Sequence, residues 1–444
     1  MRCASLLLTA FALVACRSRT AGTSPTDAAV AATPSTPSVI ASASTAPSAA
    51  SALKMASAPA TTVDASAPEN ASRASHAVVG LPGGAIEVWS RPSDDASKSD
   101  VLARRLDARG VAVGSTKLVR RTSGAVEAVR AVADHGAVRR LGAPDGVWIV
   151  WGSDLGQREV LVAAVRADAD LANVSAPITL SREKVTAEAT EGGGDSFGLL
   201  ASQRLAGGLL VAARAGRYPV KCLLAAQGAT QCQGPSYDVF AVDPTGAFRR
   251  LARRSIDGGP AVDLLALVDV GGAAVVSAFA WHGGAEIEDT VLPLPGGVTD
   301  AGAPHFAFSP CRPPYDQQWT GDTLVTICPG DYWEEKDGRC PGSPSEGSCP
   351  RVSVLRPDGG VVLGTPKHVL TRAVEARCEG GRPVLDVVHA GGRVRLDPSQ
   401  AGASIPRLTG WTGSAWLEID DAGKLTRRTC GVDGKLSLPV RTEK

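Results

Sequence analysis

Three stretches of this chain hold residue types that could do chemistry, each of a different kind. In Gly194-Asp195-Ser196-Phe197-Gly198 a serine stands between two glycines at the spacing of a nucleophile elbow. That elbow needs a buried strand before the serine, so that the hydroxyl is held exposed at a sharp turn. Here the approach from Glu188 to Gly194 is loop-forming, and His282, His305, His368 and His389 are not tied to Ser196 by spacing. A Gly-rich connector is the expected reading. Asp168, Asp170 and Asn173 could converge oxygens on a calcium ion, but the turn glycine and closing glutamate of such a loop do not follow. They are expected to be solvated hairpin residues. With no His-Glu-x-x-His and no phosphate-cradling glycine run ahead of a helix, no catalytic residue, metal or cofactor is assigned.

The third stretch, 309–351, differs most from the rest. It is rich in cysteine and proline and concentrates aromatics in a chain that is 4% aromatic. Trp319, Tyr332, Trp333, Glu334 and Glu335 are the candidate binding residues, because a stapled loop on a rigid scaffold can present aromatics and carboxylates to a partner. The competing expectation is that the tryptophans cover the loop's own bridges.

Eight cysteines lie in the body of the chain: Cys222, Cys232, Cys311, Cys328, Cys340, Cys349, Cys378 and Cys430. An even set in an exported chain points to disulfides, although on the order of a hundred pairings remain open. One pair follows from local geometry. Cys222 and Cys232 stand symmetrically about Gln227, and a loop Ala226-Gln227-Gly228 would set them opposite each other in a hairpin. Taking neighbours in order gives Cys311–Cys328, Cys340–Cys349 and Cys378–Cys430. Zinc is disfavoured, since no Cys-x-x-Cys occurs.

The elements around these residues read as all-β. A strand, an aspartate, a short turn and a second strand recur, with Asp107, Asp168, Asp243, Asp300, Asp358 and Asp421 as markers. Between these hairpins lie apolar runs such as Val147–Trp151, Leu209–Ala213, Ala273–Phe279, Leu324–Ile327 and Val384–Val388, the pattern of strands buried on both faces. Four-strand units repeated in this way resemble a β-propeller of about six to seven blades. Tandem β-sandwich domains are the alternative. Ala85–Ser90 is expected to complete the last blade and close the ring, and Gly124–Asp134 is left open between helix and strand.

The amino terminus carries the address. Arg2, an apolar run from Ala4 to Val14 and Leu13-Val14-Ala15-Cys16 have the layout of a secretory signal. The tetrapeptide resembles the bacterial lipobox, which implies cleavage after residue 15, lipidation of Cys16 and anchoring in a bilayer, by default the outer membrane. Residues 16–75, dominated by Ala, Ser, Thr and Pro with no aromatic residue between Phe11 and Trp89, are expected to form an unstructured tether. Residues 76–444 form the propeller-like domain. A net charge of +1 gives no reason to expect a nucleic-acid partner. The expected function is a binding module for a protein or carbohydrate. An envelope enzyme with its site in a propeller funnel, or a structural envelope protein, are the alternatives.

Overall fold

The computed structural model describes residues 57–64, 75–134, 146–156, 159–184, 198–215, 222–224, 230–232, 236–255, 262–281, 285–294, 306–309, 316–319, 323–329, 348–357, 361–363, 371–389, 392–396, 410–420, 423–435, 437–438 and 440–442. Every regular element among them is a β-strand, and every pairing is antiparallel. Two short strands come first, β1 (Ser57–Pro59) and β2 (Thr61–Val63). Sheet 1 follows with β3 (His76–Leu81), β4 (Gly84–Pro92), β5 (Lys98–Asp107) and β6 (Ala112–Ser123). Sheet 2 holds β7 (Ala125–Asp134), β8 (Gly146–Asp154) and β9 (Glu159–Asp168), with β10 (Asn173–Ser175) and β11 (Ile178–Lys184) sharing the far edge of β9. The segment left open between helix and strand is thus a strand, β7.

Sheet 3 is β12 (Leu199–Gln203), β13 (Leu209–Ala215), β16 (Ser236–Val242) and β17 (Phe248–Ser255). Between its middle strands sits a separate hairpin of β14 (Cys222–Leu224) and β15 (Thr230–Cys232), in which Cys222 is the register partner of Cys232, as expected. Sheet 4 is β18 (Val262–Asp269), β19 (Ala273–Trp281), β20 (Ala285–Pro293) and β21 (Phe306–Ser309). Sheet 5 is β22 (Asp316–Trp319), β23 (Thr323–Pro329), β24 (Ser348–Pro357) and β25 (Val361–Leu363). Sheet 6 is β26 (Thr371–Glu379), β27 (Arg382–His389) and β28 (Gly392–Leu396). Sheet 7 is β29 (Ala415–Ile419), β30 (Leu425–Thr429) and β31 (Val440–Arg441).

The apolar runs explain why the sheets stack. Successive side chains of a strand point to opposite faces. In β8, Val147, Ile149 and Trp151 join the core shared with sheet 1, while Trp148 and Val150 join the core shared with sheet 3. In β13, Leu209, Val211 and Ala213 face sheet 2, and Leu210 and Ala212 face sheet 4. Each fully buried Val, Leu or Ile contributes about 1.5–3 kcal/mol. A sheet of a sandwich keeps one face in water, whereas sheets 1, 2 and 3 are covered on both. The fold is therefore an all-β propeller built from seven consecutive sheets among the described residues.

The ring closes by packing rather than by strand exchange. Strand β4, expected to complete the last blade, pairs with β3 and β5 inside sheet 1, which corrects that expectation. Sheet 7 instead lies against sheet 1: Leu417 packs with Val78, Ala85 and Leu106, and the Gly83 amide donates to the Thr412 carbonyl at 2.9 Å. Cys378 and Cys430 form a disulfide joining sheets 6 and 7, as neighbour pairing anticipates. Closing a separation of 52 residues contributes about 4 kcal/mol by loop-closure entropy.

The tether also needs a correction. Residues 57–64 are structured, with β1 pairing β10 at the rim of sheet 2 and β2 pairing β6 at the rim of sheet 1. The Ala60 amide between them donates to Ala172 at 2.9 Å. Composition misses this because the segment is held by backbone hydrogen bonds to open sheet edges, not by apolar burial. Among the described residues no helix is long and apolar enough to cross a membrane.

Candidate functional site

The recurring aspartates are turn caps. Asp107 Oδ1 accepts the Arg109 and Val111 amides at 2.8 and 2.9 Å, and Asp243 Oδ1 accepts those of Thr245 and Ala247 at 2.8 and 3.1 Å. In both turns a glycine at the fourth position, Gly110 or Gly246, has positive φ and donates back to the aspartate carbonyl. Sheet 7 repeats the arrangement with Asp420, one residue ahead of the expected marker Asp421, and Gly423. Sheet 2 repeats it with Leu171 at the left-handed position, φ 58°, its side chain buried in the core between sheets 1 and 2. The suggested calcium ligands belong to this turn: Asn173 Nδ2 donates to Asp168 at 2.7 Å, and Asp170 accepts the Ala172 amide at 3.0 Å. Among the described residues no group of three or more His, Cys, Asp or Glu could hold a metal ion.

A second set of charges binds strands together within and between sheets. Asp100 receives both Arg121 donors, at 2.7 and 3.0 Å, from directly across the ladder. Asp238 receives two from its register partner Arg253, at 2.9 and 2.7 Å, and Arg253 also reaches Glu183 on sheet 2. These carboxylates raise the Arg253 guanidinium, Asp238 most strongly and against the effect of burial. Fully buried Asp134 on β7 takes the Arg166 Nε from β9 at 2.7 Å, across the intervening β8. The guanidinium crosses above Gly146 on the intervening strand, where a Cβ would stand 2.7 Å from Arg166 Nη2.

The most concentrated group lies on the face of sheet 1 turned to sheet 7. Glu87 is buried, accepting Arg104 Nε at 2.6 Å on one oxygen and sharing 2.8 Å with His76 Nε2 on the other. Arg104 lies over the Trp89 ring, 5.6 Å from its centroid. Burial pushes the Glu87 carboxyl up, but the His76 hydrogen bond and the Arg104 charge together hold it below its ordinary value. His76 Nδ1 and Trp89 Nε1 are buried without hydrogen-bond partners. Both oxygens of Glu87 are engaged and the group sits within a packing seam. Its arrangement is structural.

The sequence candidates fall elsewhere. Cys16, Ser196 and the run Tyr332, Trp333, Glu334 and Glu335 lie outside the described residues. The strands that carry that run are described. Pro329 ends β23 and is the register partner of Ser348, which begins β24. Residues 330–347 therefore leave and re-enter sheet 5 at a single point. Trp319 is not there. It ends β22 opposite Leu324, at the other end of β23 from Pro329. Five residues of strand separate the two places, about 17 Å. Only the backbone place of Trp319 is thus given, and the rest of the candidate binding group lies outside the described residues.

No protein-family model and no curated protein matches the chain. Among solved structures it is similar to the β-propeller domain of the Trilobed protease from Pyrococcus furiosus. The identity is 7%, the TM-score 0.34, and the match covers 83% of this chain and 96% of that one. Acylaminoacyl peptidase from Pyrococcus horikoshii is similar at 10% identity and a TM-score of 0.35, over 84% of this chain and 52% of that one. An α-L-arabinofuranosidase from Clostridium thermocellum follows at 10% identity and 0.28, over 72% and 95%. The propeller itself stands on strand order and on sheets packed on both faces, closing from the seventh onto the first.

Proposed function

We propose that this chain is a lipid-anchored extracytoplasmic propeller that binds a cationic segment of an envelope protein through residues 330–347. The observation supporting this is the pairing of Pro329 with Ser348, which places both ends of that excursion on adjacent strands of sheet 5. Connections longer than about 12–15 residues are usually functional or linkers, and a single-point stem argues against a linker. The chemistry of the segment chooses the ligand class. Asp331, Glu334, Glu335 and Asp337 surround Tyr332 and Trp333 in the sequence, with Lys336 and Arg339 as the opposing charges. Carboxylates beside aromatic faces favour cations, by Coulomb attraction and by cation–π contact.

The lipobox at Leu13–Cys16 supports the anchor, with Cys16 as the acylated residue. Labelling cells with a radioactive fatty acid should tag the protein, and Cys16→Ser should remove the tag. For binding, a fluorescent oligolysine peptide titrated onto the intact protein should bind in a salt-sensitive manner. Trp333→Ala with Glu334→Gln should weaken it at least tenfold. Equal binding by the variant overturns the reading, as does binding of a neutral chitooligosaccharide in place of oligolysine.

A further inference from the structure

From the register of sheet 5 we infer a disulfide between Cys328 and Cys349 that locks the stem of the 330–347 excursion, in place of the neighbour pairs Cys311–Cys328 and Cys340–Cys349. Cys328 and Cys349 are direct register partners in the β23–β24 ladder. Directly opposed residues of an antiparallel pair have Cα atoms about 4.5–5.5 Å apart. Both spacings fall within the roughly 4.4–6.8 Å that a disulfide spans. Neighbour pairing would instead join Cys328 to Cys311, which lies five residues ahead of Asp316. Asp316 is opposite Ile327, so the register carries Cys311 past Cys328 and beyond the end of the ladder. The same juxtaposition occurs at Cys222 and Cys232, the pair expected from the hairpin sequence.

The remaining cysteines of this region are then partners by count, Cys311 with Cys340. The segment holding Cys311 enters β22 at the end of sheet 5 from which the excursion leaves. Formation of each bridge removes two electrons and two protons from a pair of thiols. By thiol–disulfide exchange these pass to a disulfide-bearing thiol oxidase, whose own disulfide becomes a dithiol. The pairing rests on register alone and is independent of what the excursion binds.

Peptide mapping of the exported protein, alkylated without reduction, tests it. The Arg312–Pro313 bond resists trypsin, so Cys311 and Cys328 remain on one peptide ending at Lys336, while Cys340 and Cys349 remain on another ending at Arg351. The inferred pairing joins these two peptides, and neighbour pairing leaves them separate. Further cleavage at Asp316 or Asp322 and at Glu346 should isolate a Cys328–Cys349 linked fragment. Two unlinked tryptic peptides, alkylated thiols at Cys328 and Cys349, or a Cys328–Cys340 fragment would each overturn the inference. Cys328→Ser with Cys349→Ser should leave the Cys222–Cys232 and Cys378–Cys430 fragments in place. It should also speed limited proteolysis within 330–347 at least several-fold; an unchanged rate counts against a stem lock.

Discussion

Strand β4 faces two neighbours and treats them differently. Towards sheet 2 it offers Ile86 and Val88 to an apolar core with Val129, Ile149 and Trp151. Towards sheet 7 it offers Ala85 to a smaller apolar cluster, and Glu87 and Trp89 to the group with His76 and Arg104. The first seam joins sheets adjacent in the chain, strapped at the rim by β1 and β2. The second joins the two ends of the domain. The difference teaches that β4 meets its neighbour in the chain through an apolar core, whereas at the closing seam a smaller apolar contact with sheet 7 lies beside a buried charge group held wholly within sheet 1. Such charges contribute little net stability but are costly to leave unpaired, so they favour the register of β3, β4 and β5 that presents this face to sheet 7.

The comparison can be broken first at its apolar side. Trp151→Ala should lower stability by about 3–5 kcal/mol, read as a shift of the denaturant midpoint. Asp134→Ala on the same sheet should cost a similar amount, about 3–5 kcal/mol, by stranding Arg166. Gly146→Ala should reproduce part of that loss by blocking the guanidinium's path. At the closing seam, Glu87→Gln should cost about 1–3 kcal/mol at neutral pH and change the acid response. Glu87 sits below its ordinary value of 4.5 in the fold. Its contribution is therefore complete above that pH and disappears as pH falls through the depressed value. Hydrogen exchange at Gly83, whose amide bonds across the seam, should gain freedom on acidification before amides of β8 do. Equal acid responses at the two places would erase the distinction.

Leu171→Gly is a finer probe. It relieves a left-handed backbone that costs a leucine about 1–2 kcal/mol, but it empties a buried site worth about 2–5 kcal/mol. A net loss of about 1–3 kcal/mol is expected, and a gain would show that the turn, not the core, governs the position. The smallest effect should come from Thr62→Ala, which removes the acceptor of the Lys117 ammonium at 2.7 Å on an exposed rim. Less than about 1 kcal/mol is expected there.

Much of this architecture can be read from residue patterns, and the exceptions share a cause. The runs Val147–Trp151, Leu209–Ala213 and Ala273–Phe279 announce strands buried on both faces, and each proves to be the second strand of its sheet. The aspartate turns are legible because cap and glycine are local. Leu171 hides one turn, since its strain is offset by a core assembled from two sheets. The Asp134–Arg166 pair, 32 residues apart, and the strap at 57–63 depend on which edges meet, which no local pattern records. At the candidate site, sequence finds the aromatic and acidic run, which lies outside the described residues, while strand pairing gives the backbone place of Trp319 alone.

The strap has a mechanical consequence. A pull on the chain from its amino-terminal side reaches the hydrogen bonds of β1 to β10 and of β2 to β6 before it reaches β3. With three register pairs each, these ladders should give way before the longer ladders of the ring and re-form when slack returns. The strap would then act as a fuse, releasing length at low force while the ring behind it stays shut.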